Sequence, residues 1–417
     1  MTASPFVVLG RDGRILFATK MARTFGYGAV SVILVLYLVA LGFDGVKVGA
    51  LLTLTLIGDA AISLWLTTRA DRLGRRRVLI AGALLMLVAA VAFALSGDFW
   101  VLLIAATIGV ISVTGNEVGP FLAVEQAGLS QVLPDRERTR VFGWFALVGS
   151  FSAALGALTA GLVVSALEAG GASPINAYRG VMLVYAIVGV ALAVAFMLVS
   201  SAVEIPVAAR ATAGGRLGLH RSRRTVLRLS MLFSIDSFGG GFISQSLVAF
   251  WFSQRFGAEP ALLGAIFFVS NILAGLSALV ATRIAARVGL VRTMVFTHLP
   301  SNVLLILLPL MPTMPLAALV LFARFSISQM DVPARQSYVV AVVDPDERSA
   351  ANGVTGIART LAAAPAPLIA TPLIAIPELA SLPFFIGGGL KIVYDLLLYR
   401  SFAALRPPEE RKSPDAA

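Results

Sequence analysis

The chain contains no cysteine and only two histidines. Disulfides and thiolate metal sites are therefore excluded, and an imidazole-rich metal centre has no ligand set to draw on. Charge is scarce: 13% of the 417 residues are charged, well below the roughly 25% of a soluble domain. There is no His-Glu-x-x-His, no Gly-x-Ser-x-Gly and no Walker loop. These absences argue against a zinc peptidase, a serine hydrolase and a motor driven directly by ATP. No enzyme and no bound cofactor are expected. No basic soluble domain is present either, so the net charge of +11 does not point to nucleic acid.

What the chain has instead is apolar length. Its hydrophobic fraction is 58% and its mean hydropathy +0.90. Twelve apolar runs stand out at 24–43, 47–68, 77–96, 99–131, 140–167, 178–201, 227–253, 260–282, 290–311, 315–342, 350–376 and 380–402. Each is long enough to cross a hydrocarbon core of about 30 Å as a helix. They are too continuous for barrel strands, which alternate over about ten residues. The expected fold is all-α: a polytopic membrane protein of twelve transmembrane helices.

Basic residues set the expected orientation. With the N-terminus inside, the external turns hold only Lys47, Arg179 and Arg255 of the 33 basic residues. Both termini are then cytoplasmic, in a multi-pass protein of the cell membrane. Residues 1–23 carry four basic residues and no compact apolar core with a cleavage site, and they read as a cytoplasmic arm. The longest hydrophilic stretch, 203–226, reads as a linker between a bundle at 24–202 and a bundle at 227–402, with a tail at 403–417.

An internal repeat supports that division. Gly42, Gly49, Arg72, Gly74 and Arg77 recur 215 positions later as Gly257, Gly264, Arg287, Gly289 and Arg292. After a slip in register, Gln126, Glu137, Arg138 and Gly143 recur 210 positions later as Gln336, Glu347, Arg348 and Gly353. Glu125 and Arg335 are thus equivalent positions of opposite charge. They are expected to face each other across a pseudo-two-fold axis.

The most charged turn, Arg69-Ala-Asp-Arg-Leu-Gly-Arg-Arg-Arg77, separates the second and third runs. It resembles the Asp-Arg-x-Gly-Arg-Arg signature loop of the major facilitator superfamily, with Thr67 where that signature has glycine. The resemblance implies two six-helix bundles related by a pseudo-two-fold axis. It also implies secondary transport by rocker-switch alternating access, and a cytoplasmic gate or latch at Asp71, Arg72, Gly74, Arg75 and Arg76. Arg324-Phe-Ser-Ile-Ser-Gln-Met-Asp-Val-Pro-Ala334 resembles the family's arginine motif, normally found in the fourth span. Gly149, Gly156 and Gly161 only suggest its antiporter glycine pattern.

Ten Asp, Glu, Lys and Arg residues lie in the interior of the spans, away from their ends: Asp59, Glu117, Glu125, Asp236, Arg324, Asp331, Arg335, Arg359, Lys391 and Asp395. Facing lipid, each would cost roughly 2.5–3.5 kcal/mol, so they must pair or line a polar path. Glu117 and Asp59 have no basic partner on their own helices and are proton-coupling candidates, with Glu125 and Asp236 beside them. A continuous fourth helix would put Glu117 and Glu125 about 12 Å and about 80° apart. Asp331 and Arg335, four apart, share a helical face. Asn116, Arg324, Gln329, Asp331, Arg335, Gln336 and Arg359 are the substrate-cavity candidates. Tyr37, Phe250, Trp251 and Tyr338 are possible lining aromatics. Lys391 and Asp395 read as an internal i,i+4 pair of the scaffold, and His298 stands alone.

The expected function is export of a small organic molecule or drug in a proton-coupled antiport, by a monomer in the lipid bilayer. Two alternatives stand beside it. One is uptake or facilitated diffusion of an anionic metabolite, with Arg335 and Arg359 as its ligands. The other is a receptor or scaffold without transport.

Overall fold

A computed structural model describes residues 9–115, 117–204, 221–344 and 347–402. The side chains of Asp71, Arg72, residues 135–140, Thr282, Ala286 and Ser349 lie outside the described set. So do Asn116, most of the linker and the tail. Among the described residues the regular structure is entirely helical.

The first half holds α1 (Arg11–Ala40), α2 (Gly45–Leu73), α3 (Arg75–Leu95), α4 (Phe99–Ile108), α5 (Phe121–Val132), α6 (Asp135–Ala169) and α7 (Pro174–Met197). The second half holds α8 (Arg223–Gly241), α9 (Gln245–Phe256), α10 (Pro260–Val288), α11 (Leu290–Leu307), α12 (Met314–Ser328), α13 (Asp331–Ala341), α14 (Arg348–Ala363), α15 (Ala366–Ala375) and α16 (Leu382–Phe402). Among the described residues, eleven helical segments are long and apolar enough to cross a membrane, and α4 is a shorter apolar helix.

Two features depart from the sequence reading. Helix α1 begins at Arg11, inside the expected N-terminal arm, and buries Lys20 and Arg23. The fourth span is also not one helix. At about 1.5 Å per residue the ten residues of α4 cover only about 15 Å. The described residues between Gly109 and Pro120 are not helical, and α5 starts only at Phe121. The cause is local: Gly115 and Gly119 hold φ of +73° and +76°, which helical L-residues avoid. Shorter breaks interrupt the seventh, tenth and eleventh spans at 242–244, 329–330 and 364–365.

The packing defines two compact units. The first contains Met1–Gly214, Ser244–Ile272 and Pro367–Pro377. The second contains Gly215–Ile243, Leu273–Ala366 and Glu378–Ala417. The boundary therefore departs from a simple cut at 203–226. Helices α9 and α15 and the first part of α10 pack with the first half.

Glycine makes that packing possible. A Cβ on Gly161 of α6 would sit 2.2 Å from the Pro260 carbonyl oxygen, and one on Gly264 of α10 would sit 2.7 Å from that of Ala157. Against α15, Gly45 and Gly49 of α2 would each bring a Cβ to 2.8 Å from Pro372 and Pro367 backbone. Small residues that let backbones approach are the usual means of helix association in lipid. Elsewhere on α6, Gly156 admits the α1 backbone at Phe25 and Gly149 admits the Lys20 side chain. The glycine stripe of the fifth span is thus fully used in packing. Outward, Leu95, Trp100, Ile187, Phe296 and Leu319 are exposed, as side chains solvated by lipid would be.

Candidate functional site

The first unit encloses a compact ionic cluster centred on Arg23, which is completely buried. Its guanidinium grips Glu125 as a fork, with Nη1–Oε1 at 2.6 Å and Nη2–Oε2 at 2.7 Å. It also donates to Glu117 Oε2 from Nη2 at 3.2 Å and from Nε at 3.3 Å. Lys20, one turn earlier, pairs with Glu117. Thr19 Oγ1 donates to Glu125 at 3.1 Å. The Phe121 ring covers the Arg23 guanidinium at 4.6 Å. Two cations thus face two carboxylates, and a bidentate arginine–carboxylate pair is among the strongest polar contacts available.

This corrects two expectations. Glu117 is not unpaired. Glu117 and Glu125 do not point apart, because the break before Pro120 lets both converge on Arg23. Within the first unit the partner of Glu125 is Arg23. The sequence reading missed Lys20 and Arg23 because basic residues near a chain start were assigned to the cytoplasm. Their spacing of three, beside apolar Leu16 and Phe17, was the available signal.

Asp59 of α2 is a different kind of carboxylate. It accepts from the Gly119 amide at 2.6 Å and from Ser63 Oγ at 3.3 Å. It forms no ion pair among the described residues. Gly58 brings α2 against α4, where a Cβ would meet the Thr107 carbonyl oxygen at 1.8 Å. Asp59 therefore contacts the broken segment of the fourth span.

A neutral polar cluster closes the same unit. Gln245 Nε2 donates to Ser31 Oγ at 2.9 Å, and Asn271 Nδ2 to Gln245 Oε1 at 3.3 Å. Ser246 Oγ lies 2.7 Å and 2.8 Å from the carbonyl oxygens of Ser31 and Val113. The breaks of the fourth and seventh spans thus meet α1 through hydrogen bonds. Tyr37, Phe250, Trp251 and Tyr338 are buried in packing and do not line an open path.

The charged turn is built around Gly74, whose φ is +97°. The Glu204 carboxylate accepts from the amides of Arg75 at 2.9 Å and Arg76 at 3.1 Å, capping α3. Arg75 Nη1 donates to the carbonyl oxygens of Ala127 at 3.0 Å and Val203 at 2.9 Å. Arg75 is buried and ties the turn to α5 and to the end of the first half. Asp71 and Arg72, the expected latch, have side chains outside the described set.

The second unit holds a larger cluster. Gly239 and Gly387 let α8 and α16 touch, since a Cβ on either would lie within 2.9 Å of the other's carbonyl oxygen. That contact brings Lys391 Nζ to 2.6 Å from Asp236 Oδ1. Arg335 Nη1 donates to Asp331 at 2.9 Å, the expected i,i+4 pair, and to Asp236 Oδ2 at 3.4 Å. His298 Nδ1 lies 2.9 Å from Asp395 Oδ1, and its Nε2 lies 3.6 Å from Asp236 Oδ1. Asn302 Nδ2 donates to Asp395 Oδ2 at 2.9 Å. Lys391 and Asp395 are thus not paired with each other, and His298 does not stand alone. Their four-residue spacing on α16 aims them at different helices, which no single-helix argument reveals.

Two arginines remain. Arg359 donates from Nε to Ser237 Oγ at 3.2 Å. Arg324 has a buried Nε with no hydrogen-bond partner. Neither forms an ion pair among the described residues. Both lie within electrostatic reach of Asp236 and Asp331. Gln329 sits at the break between α12 and α13, and Gln336 is on an exposed side of α13.

Twin bundles interrupted by broken helices and enclosing buried charge are the build of a secondary transporter. Residues 16–367 match the model of the Major Facilitator Superfamily, and the chain belongs to that family. It is 31% identical to the uncharacterized membrane protein YJR124C of Saccharomyces cerevisiae, over 94% of each chain. Among solved structures it resembles the nucleoside transporter NupG, with a TM-score of 0.72, 15% identity, and 93% of this chain and 99% of that one covered. It also resembles a D-xylose-proton symporter, with a TM-score of 0.70, 14% identity, and coverage of 93% and 97%. The fold is that of a multi-pass transporter, and the receptor or scaffold reading finds no support among these relatives.

Proposed function

We propose that the chain moves a small organic anion across its membrane by alternating access, driven by proton movement through Asp59. The observation that carries the cargo class is the pair Arg324 and Arg359. The carboxylates that could have held a cationic drug are occupied: Glu117 and Glu125 by Lys20 and Arg23, and Asp236 by Lys391 and Arg335. Among the described residues in the interior of the spans, the guanidiniums of Arg324 and Arg359 in the second unit form no ion pair. A guanidinium offers a planar fork that matches a carboxylate or phosphate. An anion there would supply the missing negative charge. This favours the anionic-metabolite reading over drug export.

Asp59 supports the coupling. A carboxylate inside a membrane span with no cation beside it is a default site for a transported proton. Its acceptor bond from Gly119 links its charge to the broken segment that also carries Glu117.

The test uses the purified full chain in proteoliposomes, with radiolabelled organic carboxylates, neutral sugars and organic cations offered in turn under an imposed pH gradient. Carboxylate flux that follows the gradient and reverses with it is expected. Flux of cations or sugars without carboxylate flux overturns the cargo class. Carboxylate flux indifferent to the gradient overturns the coupling.

A further inference from the structure

The cluster around His298 contains more than a scaffold needs. Its direct contacts join three carboxylates, Asp236, Asp331 and Asp395, to Lys391 and Arg335. The imidazole of His298, itself buried, stands between two of those carboxylates, Asp395 and Asp236.

Each ring nitrogen faces its own carboxylate. Nδ1 is 2.9 Å from Asp395 Oδ1, a hydrogen-bond distance that requires a proton between the two atoms. Asn302 Nδ2 lies 2.9 Å from the other Asp395 oxygen and 3.1 Å from Nδ1; donation to the carboxylate fixes it toward the ring and leaves Nδ1 to donate to Asp395. With Nδ1–H donated to Asp395, Nε2 is left with a lone pair aimed at Asp236 Oδ1, 3.6 Å away. That oxygen is also the one Lys391 holds. Protonation of Nε2 turns a repulsive contact into an attractive one. It also sets a second cation beside the oxygen that joins α8 to α16.

We propose that His298 is a proton-binding site of this transporter, separate from Asp59, which takes its proton on Nε2 between Asp395 and Asp236. The neighbours that face it are Asp236 on α8, Asn302 on α11, Asp331 and Arg335 on α13, and Lys391, Tyr394 and Asp395 on α16. Arg324 on α12 and Arg359 on α14 lie further out. Proton uptake gives Asp236 a new partner and loosens its hold on Lys391, so the packing of α16 on α8 answers to protonation. The role in coupling rests on the transport reading above; the binding of the proton does not.

His220→Gln leaves His298 as the single imidazole, because the chain has two histidines. The full chain with 15N-labelled histidine in lipid nanodiscs then reports each ring nitrogen by NMR across pH 4–9. The expected result is an Nδ1 that stays protonated while Nε2 gains and loses its proton. Asp395→Asn should release the fixed tautomer. An Nε2 that keeps one state over the whole range, or an Nδ1 without a proton, overturns the proposal, whatever is found about cargo. In proteoliposomes, His298→Gln should flatten the pH dependence of carboxylate flux at least several-fold while leaving downhill exchange. An unchanged pH dependence in that variant overturns the coupling role even if Nε2 titrates. If no carboxylate is transported at all, the anion reading falls and the NMR result still decides the proton site.

Discussion

The two units solve the same problem in different ways. Each must hold charged side chains inside a membrane. The first does so with a closed set: Lys20 and Arg23 against Glu117 and Glu125, with a forked bond at its centre. The second has a mixed set with a histidine in it and two arginines outside it. The repeat makes the contrast sharper, because Glu125 and Arg335 are equivalent positions. In the first unit α1 carries the cations and α5 the buried carboxylate. In the second α8 carries the carboxylate Asp236 and α13 the cation. The polarity of the pair is inverted while the contact between equivalent spans is kept. The first cluster satisfies its charges within itself, whereas the second leaves the guanidiniums of Arg324 and Arg359 outside its ion pairs.

The largest expected effect breaks the first cluster. Arg23→Met should remove about 3–5 kcal/mol of stability, because it strands two buried carboxylates. Glu125→Gln added to it should recover part of that loss, read as thermal unfolding in detergent. Lys391→Met in the second unit should cost less, since Arg335 still contacts Asp236. Equal losses at the two sites would erase the distinction.

Next is the glycine seam of the first unit. Gly161→Leu cannot fit a side chain where a Cβ already lies 2.2 Å from the Pro260 oxygen. The chain lacks cysteine, so a pair introduced as Ser165→Cys and Ala261→Cys reports the α6–α10 contact directly. These residues are joined by a 3.2 Å hydrogen bond. Cross-linking should fall at least several-fold in the Gly161→Leu background.

Arg359→Gln comes third. A charge-assisted hydrogen bond is worth about 1.5–3 kcal/mol, so KM for a transported carboxylate should rise about 10-fold to 100-fold, with kcat changed less. Arg76→Gln, whose backbone alone is used at the α3 cap, should leave KM unchanged. Asp59→Asn should keep carboxylate exchange and abolish its response to a pH gradient, measured as accumulation ratio. Smallest is Glu204→Gln, which weakens the cap of α3 by about 1 kcal/mol; a shift in unfolding temperature without a change in flux is the expected outcome.

Much of this architecture is legible in the sequence, for a plain reason. A hydrocarbon solvent forces each crossing segment to be apolar and to bond its own backbone, so span length and number are written locally. The signature turn at 69–77 is equally local, and its echo at 283–292 follows from the repeat. The Asp331–Arg335 pair was readable because both residues sit on one helix. The partners of Glu125, Asp236 and Asp395 were not, because each lies on another helix about a hundred residues or more away, at Arg23, Lys391 and His298. Nor was the break of the fourth span. Gly109, Gly115, Gly119 and Pro120 permit it, yet glycine and proline are tolerated within transmembrane helices, and their presence alone does not decide.

The sequence by itself thus determined a family, a solvent and a set of charges that could not be left facing lipid. It did so because the cost of turning a polar group toward lipid is set by the residue itself. The tertiary structure decided which charges cancel and which remain. Pairing depends on which helices meet, and helices meet where Gly161, Gly239, Gly264 and Gly387 let their backbones close.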